Sequence, residues 1–247
     1  MADTFFIAIS GCSSTGKTTL ANITKNCFPE ALLLHEDDFY LHDDEIPINK
    51  KYNIPDWDCA ESLNIELLME ELSNIRKTGQ ITTKLIHNNN IDDIRKFLLP
   101  EEYLEELTKK YSILFKKYSK HSQFQIVIVE GFMLFHQDRL LNEFDCKLLI
   151  RSPYEILKKR RNARPGYQTL DSYWKDPPYY FDEFVYKGYK ESHRHLFEEA
   201  DVEKSLKVEY ANVLKDYLNT DEKDIREGLD WVYKEISQSL HNKYPTI

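Results

Sequence analysis

Hydrophobic residues follow two patterns along the chain. In the first pattern, short runs are almost continuously apolar, as in strands buried on both faces of a parallel sheet. These runs cover residues 5–9, 31–34, 125–129 and 147–150. In the second pattern, apolar residues recur every three or four positions, as on one face of a helix. These segments cover residues 17–27, 60–77, 100–117 and 222–240. Because strand and helix patterns alternate, the sequence predicts an α/β fold, a doubly wound parallel sheet of about five strands.

Weaker patterns complete the predicted fold. Ser152 and Pro153 are expected to start a helix, with the serine as its cap and the proline in its first turn. A fifth strand is predicted at residues 208–210 or 211–214. The other predicted segments are a loop over 41–57, a helical insertion around 78–122 with a turn at 88–90, and a helix over 180–199.

A loop with the pattern G-x-x-x-x-G-K-[ST] follows the first predicted strand, at Gly11, Gly16, Lys17 and Thr18. Glycine lets a backbone turn sharply and approach a phosphate, and the N–H groups of such a loop and of the following helix bind anions. The lysine can reach the outer phosphates and the threonine hydroxyl can bind Mg²⁺. We therefore predict an ATP site formed by Gly11, Cys12, Ser13, Ser14, Thr15, Gly16, Lys17, Thr18 and Thr19. The alternative is that both glycines are ordinary turn residues.

Acidic residues follow two of the predicted strands. Asp37 and Asp38 come after the second strand, and Glu130 ends the run at 125–129. In open α/β sheets ligands bind beyond the carboxyl ends of the strands, so these acids are expected beside the phosphate loop. Asp37 is the predicted general base and a magnesium-associated acid, with Asp38 as its rival, and Glu130 is the predicted second metal carboxylate. Alternatively, the two aspartates are solvated loop charges and the glutamate caps a turn.

Five cationic residues fall within residues 158–164. Arg160, Arg161 and Arg164 suit a lid around 155–175 that neutralises a transferring phosphoryl group, because guanidinium groups bind phosphate oxygens in pairs. A solvated helix face or a nuclear-localisation patch would have the same composition.

Two aromatic residues are candidates for a slot that binds a flat heteroaromatic substrate, Trp57 and Tyr167. A place in the hydrophobic core is an equal alternative for each ring. Asp58, next to the tryptophan, could accept hydrogen bonds from a sugar diol.

Overall composition limits the partners and the compartment. A net charge of −9 argues against an extensive nucleic-acid-binding surface. The four cysteines form no C-x-x-C pair and are expected to be reduced thiols. Residues 1–4 lack the basic region of a signal peptide, and no apolar run approaches the ~18 residues of a membrane span. We expect a cytoplasmic protein, with nuclear presence possible, that is a monomer or homodimer without membrane or nucleic-acid partners.

In combination, the motifs resemble those of nicotinamide riboside kinases, a branch of the uridine-kinase-like phosphate-loop kinases. Their order and approximate spacing fit across most of the chain, and residues 78–122 are longer than in that family. The matching stretches are the phosphate loop at 11–18, D-D-F-Y at 37–40, W-D at 57–58 followed by E-S-L-N at 61–64, E-G-F-M-L-F at 130–135, R-R at 160–161, Arg164, Y-Q at 167–168 and Y-F-D at 180–182.

This resemblance implies one phosphate-loop kinase domain over residues 1–247. It implies that ATP, with Mg²⁺, phosphorylates the 5′-hydroxyl of nicotinamide riboside, and of nicotinic acid riboside, to the mononucleotide for NAD salvage. The alternatives are a uridine or other nucleoside kinase on the same fold, a regulatory nucleotide-binding protein without transfer activity, and a nucleic-acid kinase.

The resemblance also implies residue roles. By position Asp37 matches the general base, Thr18 the magnesium ligand, and Arg160 and Arg164 the ATP-side lid. Trp57, where the family usually has Tyr, and Tyr167 match the two sides of the nicotinamide ring. Asp58 and Arg161 match the residues that hold the ribose hydroxyls. Further substrate contacts are expected at Asp38, Phe39, Tyr40 and Gln168. The additional residue in Pro165–Gly166 could shift the register of the arginines.

Overall fold

The computed structural model describes residues 3–83, 99–119 and 124–245. Its strands are β1 (Asp3–Ser10), β2 (Leu32–His35), β3 (Ile48–Asn49), β4 (Ile54–Pro55), β5 (Phe124–Gly131), β6 (Cys146–Arg151), β7 (Tyr167–Gln168), β8 (Tyr173–Trp174) and β9 (Lys215–Leu218). Its α-helices are α1 (Lys17–Cys27), α2 (Ile65–Thr78), α3 (Glu101–Tyr118), α4 (Asp138–Leu141), α5 (Tyr154–Asn162), α6 (Lys187–His193), α7 (Val208–Ala211) and α8 (Ile225–Lys243). A π-helix spans Phe181–Tyr186, and 3-10 helices span Glu36–Phe39, Ala60–Ser62, Arg194–Leu196 and Glu198–Ala200.

Five of these strands form one parallel sheet in the order β2-β5-β1-β6-β9. The predicted α/β fold is therefore confirmed. In this order the strand before the phosphate loop is central, and its neighbour β5 separates it from β2. Ser10 is opposite Gly131, and Glu130 is opposite His35. The register thus brings the phosphate loop, the acids after β2 and the acid at the end of β5 to the same edge of the sheet.

Two apolar layers enclose the sheet because side chains alternate between its faces. Phe6 and Ala8 of β1 face a layer that includes α2, α5 and residues 180–197. Phe5, Ile7 and Ile9 face α1, α3 and α8. All five of these side chains are fully buried. The continuous apolar runs seen in the sequence are thus explained by burial on both faces.

Helix α3 lies in the segment predicted as an insertion. Tyr111 of α3 is fully buried and stacks on Phe28 just after α1, with ring centroids 4.9 Å apart. This helix is therefore part of the apolar layer on that face. Residues 84–98 and 120–123, with the predicted turn at 88–90, lie outside the described residues.

The predicted fifth strand was wrong. Residues 208–211 form the short helix α7, and the fifth strand is β9, which among the described strands pairs only with β6 at the edge of the sheet. Its side chains are exposed or half-buried, and Lys215 and Asp216 begin it. An edge strand of this kind lacks the continuous apolar run that marks a central strand.

Other local predictions need correction. Ser152 does not cap α5, because its hydroxyl donates to the Asn219 carbonyl (2.7 Å) beyond β9, and Pro153 occupies the cap position. The predicted loop at 41–57 contains the β3–β4 hairpin, and the predicted helix at 180–199 is divided into π-, α- and 3-10 segments. Two-residue strands are too short to show a sequence period.

Helices long and apolar enough to cross a membrane are absent from the described ranges.

Candidate active site

Two cavities meet at the phosphate loop, and Arg164 lines both. The first lies above the ends of β2 and β5. Its walls include Ser13, Lys17, Thr18, His35, Asp37, Asp38, Tyr40, Trp57, Asp58, Glu130, Phe132, Arg161, Tyr167, Gln168, Leu170 and Trp174. The second lies between the loop and the start of α8. Its walls include Ser14, Gly16, Thr19, Leu20, Arg160, Tyr217, Asn219, Thr220, Asp221, Lys223 and Asp224.

The phosphate loop connects β1 to α1, as the motif predicted. Gly11 has a φ of 151°, and a Cβ there would lie 2.1 Å from the Ile150 carbonyl oxygen, so only glycine fits. Gly16 has a φ of 94° and precedes the helix. Asn219 donates from Nδ2 to the Thr15 carbonyl (2.7 Å), which ties the loop to the end of β9. The loop is therefore held in a shape that exposes the amino end of α1.

Within the loop, Cys12 differs from its neighbours. Its side chain is buried in the hydrophobic core, and burial raises the pKa of the thiol to about 12. It therefore stays protonated, and only its backbone is available for a phosphate.

Glu130 is the centre of a hydrogen-bonded group beneath the loop. Thr18 donates from Oγ1 to one carboxylate oxygen (3.0 Å), and His35 donates from Nδ1 to the other (2.8 Å). Burial by itself would raise the pKa of Glu130, but the bond from His35 and the charge of Lys17 outweigh it and lower the pKa. The glutamate is thus an anion whose hydrogen bond orients the threonine hydroxyl.

The acids after β2 lie on the 3-10 helix Glu36–Phe39. Asp37 and Asp38 both line the first cavity, as predicted, together with Lys17 and Glu130. Burial, and then the nearby negative charge of Glu130, raise the pKa of Asp37.

Phe39 does not belong to this cavity. Only 1% of its surface is exposed, and it packs in the hydrophobic core, so the predicted substrate contact is not supported. On a 3-10 helix successive side chains point about 120° apart, and this one points inward.

Sequence reasoning missed Glu36, a fully buried carboxyl group behind the cavity. It accepts a hydrogen bond from the Met133 N–H (2.8 Å), and burial raises its pKa to about 8. A Cβ at Gly131 would lie 2.3 Å from its Oε2. The glycine of the E-G-F motif therefore makes room for this carboxyl group.

Several aromatic side chains line the first cavity and are called here its aromatic wall. Trp57 and Tyr167 both line it, as predicted, together with Tyr40, Phe132 and Trp174. Trp57 is only 8% exposed and packs in the core while it also lines the cavity, so its place in the core does not remove it from the cavity. Its ring centroid lies 5.7 Å from that of Tyr40, at an interplanar angle of 76°. Sequence reasoning assigned no role to Trp174, because the β7–β8 hairpin that carries it has only two paired residues on each strand.

The backbone of Trp57 is fixed by three hydrogen bonds. Its carbonyl accepts from the Tyr40 and Ser62 hydroxyls (3.0 Å each), and its N–H donates to the Tyr180 hydroxyl (3.0 Å). These contacts fix the position of the neighbouring Asp58, which is 5% exposed. Burial raises the pKa of Asp58 to about 6, although the charge of Arg161 opposes that shift.

The three arginines lie at different cavities, although the run of cations alone suggested one lid and the resemblance assigned Arg161 separately from Arg160 and Arg164. Arg160 donates to Asp221 (2.8 Å from Nη2) and to the Ser14 carbonyl (3.4 Å), beside the second cavity. Arg164 is exposed and lies 5.5 Å from the Tyr167 ring centroid. Arg161 is buried beside the first cavity, close to Asp58. Arginines within five consecutive residues at the end of α5 thus contact different neighbours.

The oxygen donors around Thr18 fit a magnesium ion. Within residues 3–83, 99–119 and 124–245, no group of three or more acidic, histidine or cysteine side chains could hold a metal by itself. Magnesium in nucleotide sites is bound through one or two carboxylates, with phosphates and water as the other ligands. The Thr18 hydroxyl, Asp37 and Glu130 supply that kind of incomplete, all-oxygen set.

The fold and the site together define a phosphate-loop kinase. The first strand of a parallel sheet leads through G-x-x-x-x-G-K-T into a helix, and carboxylates lie at the ends of neighbouring strands.

No protein-family profile matches the chain. It is 49% identical to nicotinamide riboside kinase of Saccharomyces cerevisiae over 231 residues, covering 93% of this chain and 94% of that protein. It is 46% identical to nicotinamide riboside kinase of Eremothecium gossypii over 234 residues (95% and 93%), and 28% identical to human nicotinamide riboside kinase 1 over 186 residues (75% and 75%). The chain belongs to the nicotinamide riboside kinase family.

Proposed function

We propose that this protein transfers the γ-phosphoryl group of ATP to the 5′-hydroxyl of nicotinamide riboside, giving nicotinamide mononucleotide for NAD salvage. Nicotinic acid riboside is the proposed second substrate. The observation that carries the proposal is one cavity that joins Lys17 and Asp37 to an aromatic wall containing Trp57 and Tyr167. Groups suited to phosphoryl transfer and aromatic rings suited to a flat substrate thus line one cavity.

The nucleotide would occupy the phosphate loop and the second cavity. Loop N–H groups and Lys17 bind the phosphates, and the segment at 219–224 borders the space for the nucleoside. Arg160 and Arg164, which line this cavity, can neutralise charge on the phosphate oxygens. Their charge does not depend on pH near neutrality.

Asp37 would accept the proton of the 5′-hydroxyl as that oxygen attacks the γ-phosphorus. It lines the same cavity as Lys17, so the acceptor hydroxyl and the phosphate can lie between them. Thr18, Glu130 and Asp37 would hold magnesium, which when bound neutralises phosphate charge. Thr18 donates its proton to Glu130, and this leaves the hydroxyl lone pairs directed away from that carboxylate.

The riboside would lie against the aromatic wall. Its pyridinium ring is cationic, and stacking on Trp57 and Tyr167 near Asp37, Asp38 and Asp58 stabilises that charge. Asp58 accepts hydrogen bonds from the ribose hydroxyls, and Arg161 donates to them. Tyr40 and Gln168, which also line the cavity, are the further proposed contacts.

The test is turnover with ATP and Mg²⁺ on nicotinamide riboside, nicotinic acid riboside, uridine and cytidine, for the wild type and for Asp37→Ala. The pyridine ribosides should be the preferred substrates. The variant should lose roughly 10²- to 10⁴-fold in turnover, the usual contribution of a general base, while ATP binding measured by calorimetry persists. Preference for uridine would contradict the substrate, and unchanged turnover in the variant would contradict the base.

Several expectations from the sequence stay predictions. They are a cytoplasmic location, a monomeric or dimeric state, the absence of membrane and nucleic-acid partners, and a single domain with a lid around 155–175.

A further inference from the structure

We infer that Asp176, just after the β7–β8 hairpin, is the positioning residue that orients Arg161 toward the riboside. The inference rests on the proposed function and deepens it, because it concerns how the riboside half of the cavity is kept ready for its ligand. Asp176 does not itself line the first cavity.

The two side chains form a paired contact. Arg161 donates from Nε to Oδ2 of Asp176 (2.7 Å) and from Nη2 to Oδ1 (3.2 Å). Arg161 is 7% exposed and the Asp176 side chain is 19% exposed, so water weakens this ion pair little. A two-point contact between planar groups fixes the rotation of the guanidinium as well as its position.

The guanidinium of Arg161 keeps some of its N–H groups available for a ligand. Arg161 has five N–H donors. Among the described residues, two of them bind Asp176 and one, on Nη1, binds the Ser13 hydroxyl of the phosphate loop (2.8 Å). One N–H on each terminal nitrogen remains for a ligand. Nη2 is also the nitrogen nearest to Asp58, 3.6 Å from Oδ2.

Asp176 keeps Arg161 at a distance from Asp58. At 3.6 Å the two charged groups attract each other, but the distance between them is longer than in an ordinary hydrogen bond. Without a competing carboxylate, the arginine would turn and form a paired contact with Asp58 instead. Such a contact would occupy the Asp58 oxygens that the ribose diol needs. Asp176 therefore keeps Arg161 and Asp58 apart and available.

The same carboxylate also orients the aromatic wall. Oδ1 of Asp176 accepts a hydrogen bond from Nε1 of Trp174 (2.9 Å). The Trp174 ring lines the first cavity and lies 6.5 Å from the Trp57 ring, centroid to centroid. The guanidinium of Arg161 itself lies 4.1 Å from the Tyr167 ring centroid. Asp176, which lies outside the cavity, thus holds Trp174 directly and holds Arg161, which in turn contacts the Tyr167 ring.

The test is Asp176→Asn, which keeps the shape but removes the charge and turns one acceptor into a donor facing Arg161. KM for nicotinamide riboside should rise roughly tenfold or more, while KM for ATP should stay within about twofold of wild type. The matched control is Asp182→Asn. Asp182 also pairs with a cation, Lys158 (2.8 Å), but neither cavity includes it. The control should leave both constants unchanged.

A double-mutant cycle with Arg161→Lys separates positioning from general stabilisation. Lysine cannot form the paired contact, and the amide oxygen of asparagine can still accept the Trp174 hydrogen bond, so Asp176→Asn should add almost nothing to riboside KM in that background. Additive effects would overturn the inference, as would an equal rise of KM for ATP and riboside accompanied by a lower melting temperature. If the wild type phosphorylates the riboside and Asp176→Asn leaves its KM unchanged, only this inference fails. If the wild type phosphorylates no pyridine riboside, the proposed function fails and the inference fails with it.

Discussion

At the scale of single residues, the cavity side chains are held by contacts that do not involve a ligand. Trp57 shows this most clearly, because its ring is 8% exposed and its backbone makes three side-chain hydrogen bonds. A ring in a fixed position loses little conformational entropy when a substrate stacks on it. The tryptophan is therefore a preformed surface for the proposed riboside.

Replacement of Trp57 tests that surface. Trp57→Leu should raise KM for nicotinamide riboside roughly tenfold, since a cation over an aromatic ring contributes up to about 2 kcal/mol when desolvated. Trp57→Tyr, which keeps an aromatic ring, should change it much less. Steady-state kinetics with each substrate varied would measure both variants. Equal losses for leucine and tyrosine would show that ring stacking is not the contribution of this residue.

At the scale of elements, α6 lies directly against the segment that carries Asp58. A Cβ at Gly188 of α6 would lie 2.3 Å from the Asp58 carbonyl oxygen, which is a backbone atom. Real side chains do not approach backbone oxygens this closely. With a side chain at position 188, α6 and the backbone at Asp58 could therefore not both keep their positions. The glycine thus sets the distance between this helix and the cavity.

Gly188→Ala should therefore destabilise the protein and raise KM for the riboside more than KM for ATP. Alanine is favoured over glycine inside helices by about 1 kcal/mol, so without the close contact the variant would be more stable. The matched control for stability is Gly228→Ala in α8, whose Cβ would meet the end of the Leu20 side chain at 3.2 Å and the Tyr217 ring at 3.6 Å, and no backbone atom among these contacts. Urea unfolding of both variants checks the sign. A stabilised Gly188→Ala protein with wild-type kinetics would contradict the proposed spacing.

At the scale of the whole molecule, the sequence predicts the central sheet well and its periphery poorly. Strands β1, β2, β5 and β6 carry continuous or nearly continuous apolar runs because helices cover both faces. The edge strand β9 has no such run. The phosphate loop and the acids after β2 and β5 were also predictable, since the loop motif and the ends of parallel strands locate them without knowledge of side-chain packing.

The contacts between distant segments could not be predicted in this way. Asp43 accepts hydrogen bonds from Thr169 (2.9 Å) and Ser172 (2.5 Å), joining the loop after β2 to the β7–β8 hairpin. Asp176 pairs with Arg161 across the base of the same hairpin. Such polar pairs have no periodicity, and each is specified only when the tertiary fold brings its two members together. The run of cations at 158–164 by itself therefore suggested one lid, and only the family resemblance assigned Arg161 to a different ligand from Arg160 and Arg164.

The stability of the whole molecule should fall with acidification through His193 of α6. This side chain is fully buried and donates from Nδ1 to the Tyr189 carbonyl (3.2 Å). Burial lowers its pKa to about 3, compared with about 6.5 in an unfolded chain. Between pH 6.5 and pH 3 the imidazole is therefore protonated in the unfolded state and neutral in the folded state. The resulting stability is complete above pH 6.5 and is lost as the pH falls from there toward 3.

His193→Gln can keep a donor near the carbonyl but does not titrate. Between pH 7 and pH 5 the wild type should lose about 2 kcal/mol more unfolding free energy than this variant, since each pH unit below 6.5 costs about 1.4 kcal/mol. Urea unfolding at the two pH values gives the difference directly, and titrations shared by both proteins cancel from it. His241→Gln, at an exposed position of α8, is the control and should show the wild-type loss. If His193→Gln and the wild type lose the same free energy, then His193 is protonated in the folded protein as readily as in the unfolded chain.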